Sequence, residues 1–500
     1  MNERDMDANG RRGFLKNMTA LGGAAPFAPV VLAALANHTP AQAEDKPAQP
    51  PTNGHETVKL AQYVSSIRYE DLPPDVLQRA KDTIIDAVAV IVYGAQLPWS
   101  RIVMDYARRN GGGGKSKILG GGDDGLHPPS AALANGALAH AFEMDNLTNP
   151  DSGAHPGAIL LSSTLAVAQQ RGIGGRDLLT AFVAGAEAMI RIGLATKHTN
   201  EIRGFHAPGT TGPFGGAVAV GHMLKFNPEK MTNALGIAGS LSGGLLEFAK
   251  SGTGGMVKKL HLGRGAESGV LAASLAADGY DGPTTVLEGA FGFLKAFCTE
   301  WDVGELTKGL GEIYVTRTVM MKRFACHITA HTAVEAMMDL RAEQGFTAAD
   351  VAGVSIAGSE RMATLNNILD PRDVLLAQFS IPFSVALSMY RDPLDPRNFD
   401  DAVIHDARVN EFSRKIKMII VPGQATTDIG SAVTVTLTDG RTFSKAVTEF
   451  KGTPARPLDQ NELREKFLVV TRHIDKAKMT RIFERLQHIE DEADLSWLSV

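Results

Sequence analysis

From Val58 to about Arg317, nearly every apolar run has helical spacing and is rich in Ala and Gly, and this constrains the chain most. In "PPDVLQRAKDTIIDAVAVIVYGA", Val76, Leu77, Ala80, Ile84, Ala87, Val88 and Ile91 fall on one side of a helix. Pro73-Pro74 open that helix and Gly94 closes it. "PGAILLSSTLAVAQQRG" and "GRDLLTAFVAGAEAMIRIG" repeat the scheme, with stops expected at Gly172 and Gly193. The chain has 52 glycines, and aromatic residues are only 6% of it. Small residues let helices approach closely, so this part reads as an all-α domain with helices buried on most sides.

Near Tyr314 the pattern changes. "VSIAGSE" (Val354–Glu360) and "SAVTVTLTDGRTF" (Ser431–Phe443) alternate like strands, and "TDG" (Thr438–Gly440) signals a hairpin turn. "HTAVEAMMDLRAEQ" and "FSVALSMY" between them are helical. After "KGTPARPLDQ" the chain turns helical again in "NELREKFLVV" and "KAKMTRIFERLQHI". Five hundred residues exceed one core. The fold class expected is mostly α: a large helical domain made of residues 58–317 and 453–500, with an α+β lid at 318–452 inserted between them.

The first residues read as an address. "GRRGFLKNMTALGGAAPFAPVVLAALANHTPAQAE" has a twin arginine, Arg11-Arg12, then an apolar Ala-rich stretch, then "AQA" ending at Ala43. This predicts a twin-arginine signal peptide over 1–43, a polar linker over 44–57, and a periplasmic or secreted product without stable membrane insertion after cleavage. Later apolar runs are broken by charge, Gly or Pro, so no second membrane span is expected. Net charge is −5, which argues against a nucleic-acid partner. Two cysteines, Cys298 and Cys326, exclude a disulfide framework.

"NGGGGKSK" (Asn110–Lys117) is not a phosphate loop, because the position that needs the first Gly is Arg109. It reads as a turn. HExxH, EF-hand, CxxC and GxSxG patterns are absent. His327 and His331 stand four apart, but no obvious third metal ligand is nearby.

Four polar Gly/Pro loops carry the chemistry. "HAFEMDNLTNPDSGAHPG" (His140–Gly157) holds Asp145 and His155. "RGFHAPGTTGPFGG" places His206 ahead of a helix expected near Pro213. "GGMVKKLHLGRGAESG" holds Lys258, Lys259 and His261. "MKRFACHITAH" holds Lys322, Arg323 and His327. Each loop ends where a helix begins, and helix N-termini favour anions. If the four loops converge, they make an anion pocket lined by titratable groups.

These blocks, with "AKDTIIDAVAVIVYGA", "NGALAHAFEMDN" and "AQFSIPFSVALSM", come in the order of the MmgE/PrpD family, which the chain resembles from about Val58 to its end. The family includes 2-methylcitrate dehydratase, cis-aconitate decarboxylase and iminodisuccinate epimerase. The resemblance implies a homodimer, a small polycarboxylate substrate, and neither metal nor organic cofactor. It implies Asp145, His155, His206, Lys258 and His327 as catalytic residues, with Lys259, His261, Arg323 and Phe383 binding substrate. This chain departs from the family pattern at Asn146, where a second Asp is usual, and at Phe383, where Tyr is common.

The reaction expected is acid–base elimination of water at carbon next to a carboxylate, which needs a base, an acid and charge stabilisation. His206 or His327 would serve as acid or base. Asp145 would carry a proton or orient a histidine, Lys258 would pair with a substrate carboxylate, and His155 would bind or relay. Decarboxylation and epimerisation could run through the same intermediate. A reading of another class is an exported carboxylate-binding protein without turnover.

Overall fold

The computed structural model describes residues 55–148, 152–251 and 255–500. The twin-arginine segment, its cleavage site and most of the linker lie outside the described residues.

The chain enters through α1 (Glu56–Ser66) and α2 (Pro74–Gly94), which begins with Pro at its first position, where a missing N–H costs nothing. After α3 (Pro98–Gly111) comes β1 (Gly112–Ser116), which bridges Leu126. The stretch read as a turn is therefore a short extended arm. Then follow α4 (Pro128–Ala139) and the two-residue strand β2 (Leu147–Thr148). A π-helical turn at Gly157–Leu161 leads into α5 (Ser162–Arg171), which Gly172 ends in the left-handed conformation at φ 67°.

Helix α6 (Gly175–Ala195) runs past the stop expected at Gly193, which sits inside the helix against Ser152. By length and composition it could cross a membrane, contrary to the sequence reading, and 94% of its apolar window is buried among the other helices. The ion pair within it, Glu187 with Arg191, is buried too, and the guanidinium also donates to the carbonyls of Lys308 and Ile313.

Next come α7 (Ala207–Met223), α8 (Pro228–Ser240) and α9 (Met256–Ala277). The helix expected to start at Pro213 starts six residues earlier. Pro213 lies inside it and lacks the N–H that would bond the Gly209 carbonyl. That carbonyl instead accepts from the Gly243 N–H. The His206 N–H donates in turn to Gly244, so the 243–245 strand segment is laced onto the start of α7.

Helix α9 is clamped between α4 and α7. A Cβ on Gly269 would stand 2.6 Å from the Gly216 Cα, and one on Gly136 would stand 3.0 Å from the Gly263 Cα. Only glycine permits such backbone-to-backbone approach. The clamp brings the end of α4 and the starts of α7 and α9 to one place.

Further along come β3 (Val319–Met320), α10 (His331–Gln344), β4 (Val351–Gly358), α11 (Ile381–Tyr390), β5 (Ile416–Ile420), β6 (Ser431–Leu437) and β7 (Thr442–Val447). The sheet order is β5-β4-β6-β7, with β4/β5 parallel and the other pairs antiparallel. Strand β5 has no clean alternation in sequence and was not expected. Helices α13 (Gln460–Val470) and α14 (Lys476–Gln487), preceded by α12 (Ala407–Arg414), close the fold. Both α13 and α14 pack on α2, and Lys466 pairs with Asp86 in a buried ion pair. Cys298 and Cys326 are free and buried.

Candidate active site

The polar loop begins where α4 stops, at His140. Two residues of the loop form β2, which pairs antiparallel with β3, Leu147 opposite Met320. Extending that register places position 145 opposite position 322. Through this short ladder the acidic loop meets the Lys322 segment, from far along the chain.

Asp145 is fully buried, and its carboxylate accepts from two imidazoles. His140 Nδ1 lies 3.0 Å from each carboxylate oxygen, and His155 Nδ1 lies 2.6 Å from Oδ2. Burial works to raise the Asp145 carboxyl, but the two neighbouring imidazoles overrule it and hold it well below the usual range. An ionised Asp145 places a proton on each Nδ1 and leaves each Nε2 as an acceptor. His155 keeps a little exposure, 8%, and its Nε2 makes no hydrogen bond among the described residues. His140 is buried, and burial lowers its imidazole to about 3. The carboxylate is thus placed to orient both imidazoles.

The other histidines stand beside this trio. His206 precedes α7, and its ring centre is 6.1 Å from that of His140. Its Nδ1 is 3.0 Å from His261 Nδ1, one turn inside α9. Burial lowers both imidazoles, and Lys258 lowers His261 further. Phe248 packs edge-on against both rings.

Next to the histidines lies a buried charge triplet. Glu143 pairs with Lys258 from α9 and, at 2.8 Å, with Lys322. Burial pulls both lysines below their ordinary range. Lys258 Nζ also stands 4.6 Å over the ring of Phe379, which lies 4.8 Å from the ring of His327. His327 is partly buried and its imidazole is lowered, first by burial and then by Arg361, Lys322 and Lys258. Two ammonium groups sharing one carboxylate favour a further anion.

Asp145, His155, His206, Lys258, His261 and His327 therefore gather in one region. Three others do not join them. Lys259 lies 100° further round α9, 5.1 Å over the Trp99 ring, in a separate apolar pocket with Ile102 and Met256, and burial lowers it to about 8. Arg323 stacks over Phe324 at 5.6 Å. Phe383 is fully buried in α11 within the apolar core. His331 is turned from His327: its ring lies between Phe324 and Phe450 and its Nε2 bonds the Cys326 carbonyl. For a cation, the ligand atoms of His140, Asp145 and His155 stand within 4.8 Å of one another, but both Nδ1 atoms are spent on the carboxylate.

Sequence reasoning missed His140, Glu143 and Phe379 and did not place Lys322 among the site residues. His140 opens the polar loop but was given no role beside Asp145 and His155. Glu143 precedes Asp145 by two and carries the only other acid of "HAFEMDN". Asn146 faces the scaffold: its amide donates to Asp86 at 2.9 Å and to the Thr83 carbonyl, and its oxygen accepts from the Gly157 N–H at 2.8 Å.

A family model for the MmgE/PrpD N-terminal domain matches residues 58–306, and one for the MmgE/PrpD C-terminal domain matches residues 324–489. Cis-aconitate decarboxylase of Aspergillus terreus is 33% identical over 298 residues, 57% of this chain and 60% of that enzyme. Cis-aconitate decarboxylase of Homo sapiens is 27% identical over 457 residues, 89% of this chain and 93% of that enzyme. 2-Methylcitrate dehydratase of Salmonella typhi is 27% identical over 304 residues, 56% of this chain and 60% of that enzyme. The chain thus spans about three fifths of the length of the first and third of these.

Proposed function

Because the chain belongs to the MmgE/PrpD family, we propose that it is a lyase acting by acid–base chemistry at carbon next to a carboxylate of a small di- or tricarboxylic acid. One observation carries the reading: an ionised Asp145 orients His140 and His155 immediately beside the Lys258–Glu143–Lys322 triplet. A substrate carboxylate sits at the two ammonium groups, which stabilise charge as it develops on the neighbouring carbon. His155 presents a bare Nε2 to the same region and moves a proton there.

Decarboxylation stands first. The C–C bond to one carboxylate breaks, CO₂ leaves, the electron pair stays on carbon, and an acid supplies one proton. The human decarboxylase aligns over nearly the whole chain, which favours this outcome. Dehydration is the second reading, favoured by similarity to a dehydratase: a base removes the C–H proton while an acid protonates the departing hydroxyl. Epimerisation would return that proton to the opposite face.

The test is incubation of the protein with cis-aconitate, 2-methylcitrate, citrate and related acids, followed by proton NMR and CO₂ release. Product is expected from the wild type and is lost in Lys258→Ala and His155→Ala. Thermal stabilisation by these acids without any conversion would sink the lyase reading in favour of a binding protein.

We extend the proposal to export through the twin-arginine route, supported by Arg11-Arg12 and "AQA", and to pairing of two copies, supported by the family. Cell fractionation and light scattering test these two points.

A further inference from the structure

His155, Asp145, His140, His206 and His261 form a row whose ends are slightly open and whose middle is closed. Relative exposure runs 8%, 0%, 4%, 6% and 9% along it. Its proton positions can be assigned one by one. The Asp145 carboxylate takes an N–H from Nδ1 of His155 and from Nδ1 of His140. Neutral His140 then has a bare Nε2, and that atom is buried and unpartnered. An unsatisfied buried acceptor costs about 1–3 kcal/mol, so it calls for a donor. The His206 ring stands 6.1 Å from the His140 ring between centres. One substrate hydroxyl oxygen hydrogen-bonded to both rings fits that spacing, because each such bond spans about 2.8 Å, and its single hydrogen goes to the bare His140 Nε2.

A network closed in this way needs His206 to carry its proton on Nε2. Its Nδ1 must then be an acceptor, and the Nδ1 of His261, 3.0 Å away, must be the donor. Every donor in the row points toward Asp145. Gly244, at φ 118°, lies flat against the His261 ring; a Cβ there would come within 3.1 Å of it. The Gly209–Gly243 hydrogen bond freed by Pro213 fixes this wall. The wall, the clamp of α9 against α7 and the edge of Phe248 hold the two rings in register.

We propose that His261 is a positioning residue that holds His206 in the Nε2–H tautomer, making His206 the proton donor in the reaction, with His155, bare at Nε2, the acceptor where a C–H proton is removed. This rests on the lyase reading above. In the chemical step the His206 Nε2–H proton passes to the substrate and the His261 Nδ1–H proton moves to His206 Nδ1. His261 takes a solvent proton at Nε2, and the row resets when a proton returns to His206 Nε2, the His206 Nδ1 proton passes back to His261 and His261 releases its Nε2 proton, a net uptake of one solvent proton.

The discriminating set is His261→Leu, which cannot donate, and His261→Asn, whose amide N–H reaches the Nδ1 position. The expected result is a fall in kcat of about tenfold or more in His261→Leu with KM within about twofold, and recovery to within about threefold of wild type in His261→Asn. Wild-type kcat in His261→Leu overturns the assignment. So does an equal loss in both variants when their melting temperatures match wild type. A second readout needs no substrate: nitrogen NMR of histidine-labelled protein should show His206 protonated at Nε2 in wild type and His261→Asn, and a tautomer mixture in His261→Leu. A His206 protonated at Nδ1 in the wild type also overturns it. Because that measurement is independent of turnover, failure of every substrate tested would count against the lyase reading alone.

Discussion

Asp145 sets two imidazoles at once, so its charge matters more than its shape. Replacing it with Asn keeps the volume but removes the anion that fixes Nδ1–H on both His140 and His155. Each ring then loses its single tautomer. Turnover in Asp145→Asn should fall by roughly a hundredfold or more with the fold retained. Steady-state kinetics and circular dichroism check this, and near-normal kcat would refute the orienting role. Asn146 is the opposite case. It replaces the second Asp usual in the family, yet its amide bridges Asp86, the Thr83 carbonyl and the Gly157 N–H. Asn146→Asp would set a carboxylate against Asp86 and the carbonyl, destabilising by about 2–4 kcal/mol. Denaturant unfolding should show that loss. The loop's place at the candidate site was legible in sequence through Asp145 and His155, because polar side chains in a Gly/Pro loop between apolar helices need a reason to be there. His140 was not, since it opens that loop and its pairing with Asp145 has no local sequence pattern to mark it. Nor was Lys258 separable from Lys259 by spacing; their 100° separation around α9 decides which one meets Glu143.

The elements reach the site through glycine. Helices α7 and α9 touch backbone to backbone at Gly216 and Gly269, and each carries part of the histidine row at its first turns. A methyl group on Gly269 would meet main-chain atoms, which cannot swing aside. Gly269→Ala should therefore lower stability by about 1–3 kcal/mol and lower kcat, because His206 and His261 are pushed apart. Thermal melts and kinetics test both, and a variant as stable and active as wild type would show that the clamp gives way easily. Periodicity located the helices because their apolar stripes repeat along a local stretch. The hairpin β6–β7 was readable for the same reason, with its turn signal between alternating strands. The β2–β3 pairing was not. It is two residues long and joins segments far apart in sequence, with no local pattern to mark it. The start of α7 was also misread, since Pro213 looked like an opening residue while Gly243 takes up the bond it forgoes.

At the scale of the whole molecule, burying so many neutral imidazoles makes stability depend on pH. Burial lowers His140, His206, His261, His327 and His331 below the ordinary histidine value. Once unfolded, each takes up a proton below about pH 6.5, while the native state takes up fewer. The unfolded state therefore gains protons as pH falls, and stability drops. For His140, at about 3 in the native state, the loss is about 2 kcal/mol at pH 5. Asp145, held below its usual value, adds a loss of the same sign only under about pH 4. Glu187 and Asp82, raised by burial, pull the other way over part of the range, but five imidazoles outnumber them. The melting temperature should fall steeply from pH 7 to pH 4.5. His331→Phe offers a control outside the proposed chemistry. Its ring already lies between Phe324 and Phe450, so phenylalanine fits the slot, giving up one bond to the Cys326 carbonyl. That variant should lose less stability per pH unit than wild type, by about 1.4 kcal/mol for each full proton no longer taken up on unfolding. A melting temperature flat between pH 7 and pH 5 would mean that the imidazoles are not held neutral, and the tautomer assignments built on that neutrality would fall with it.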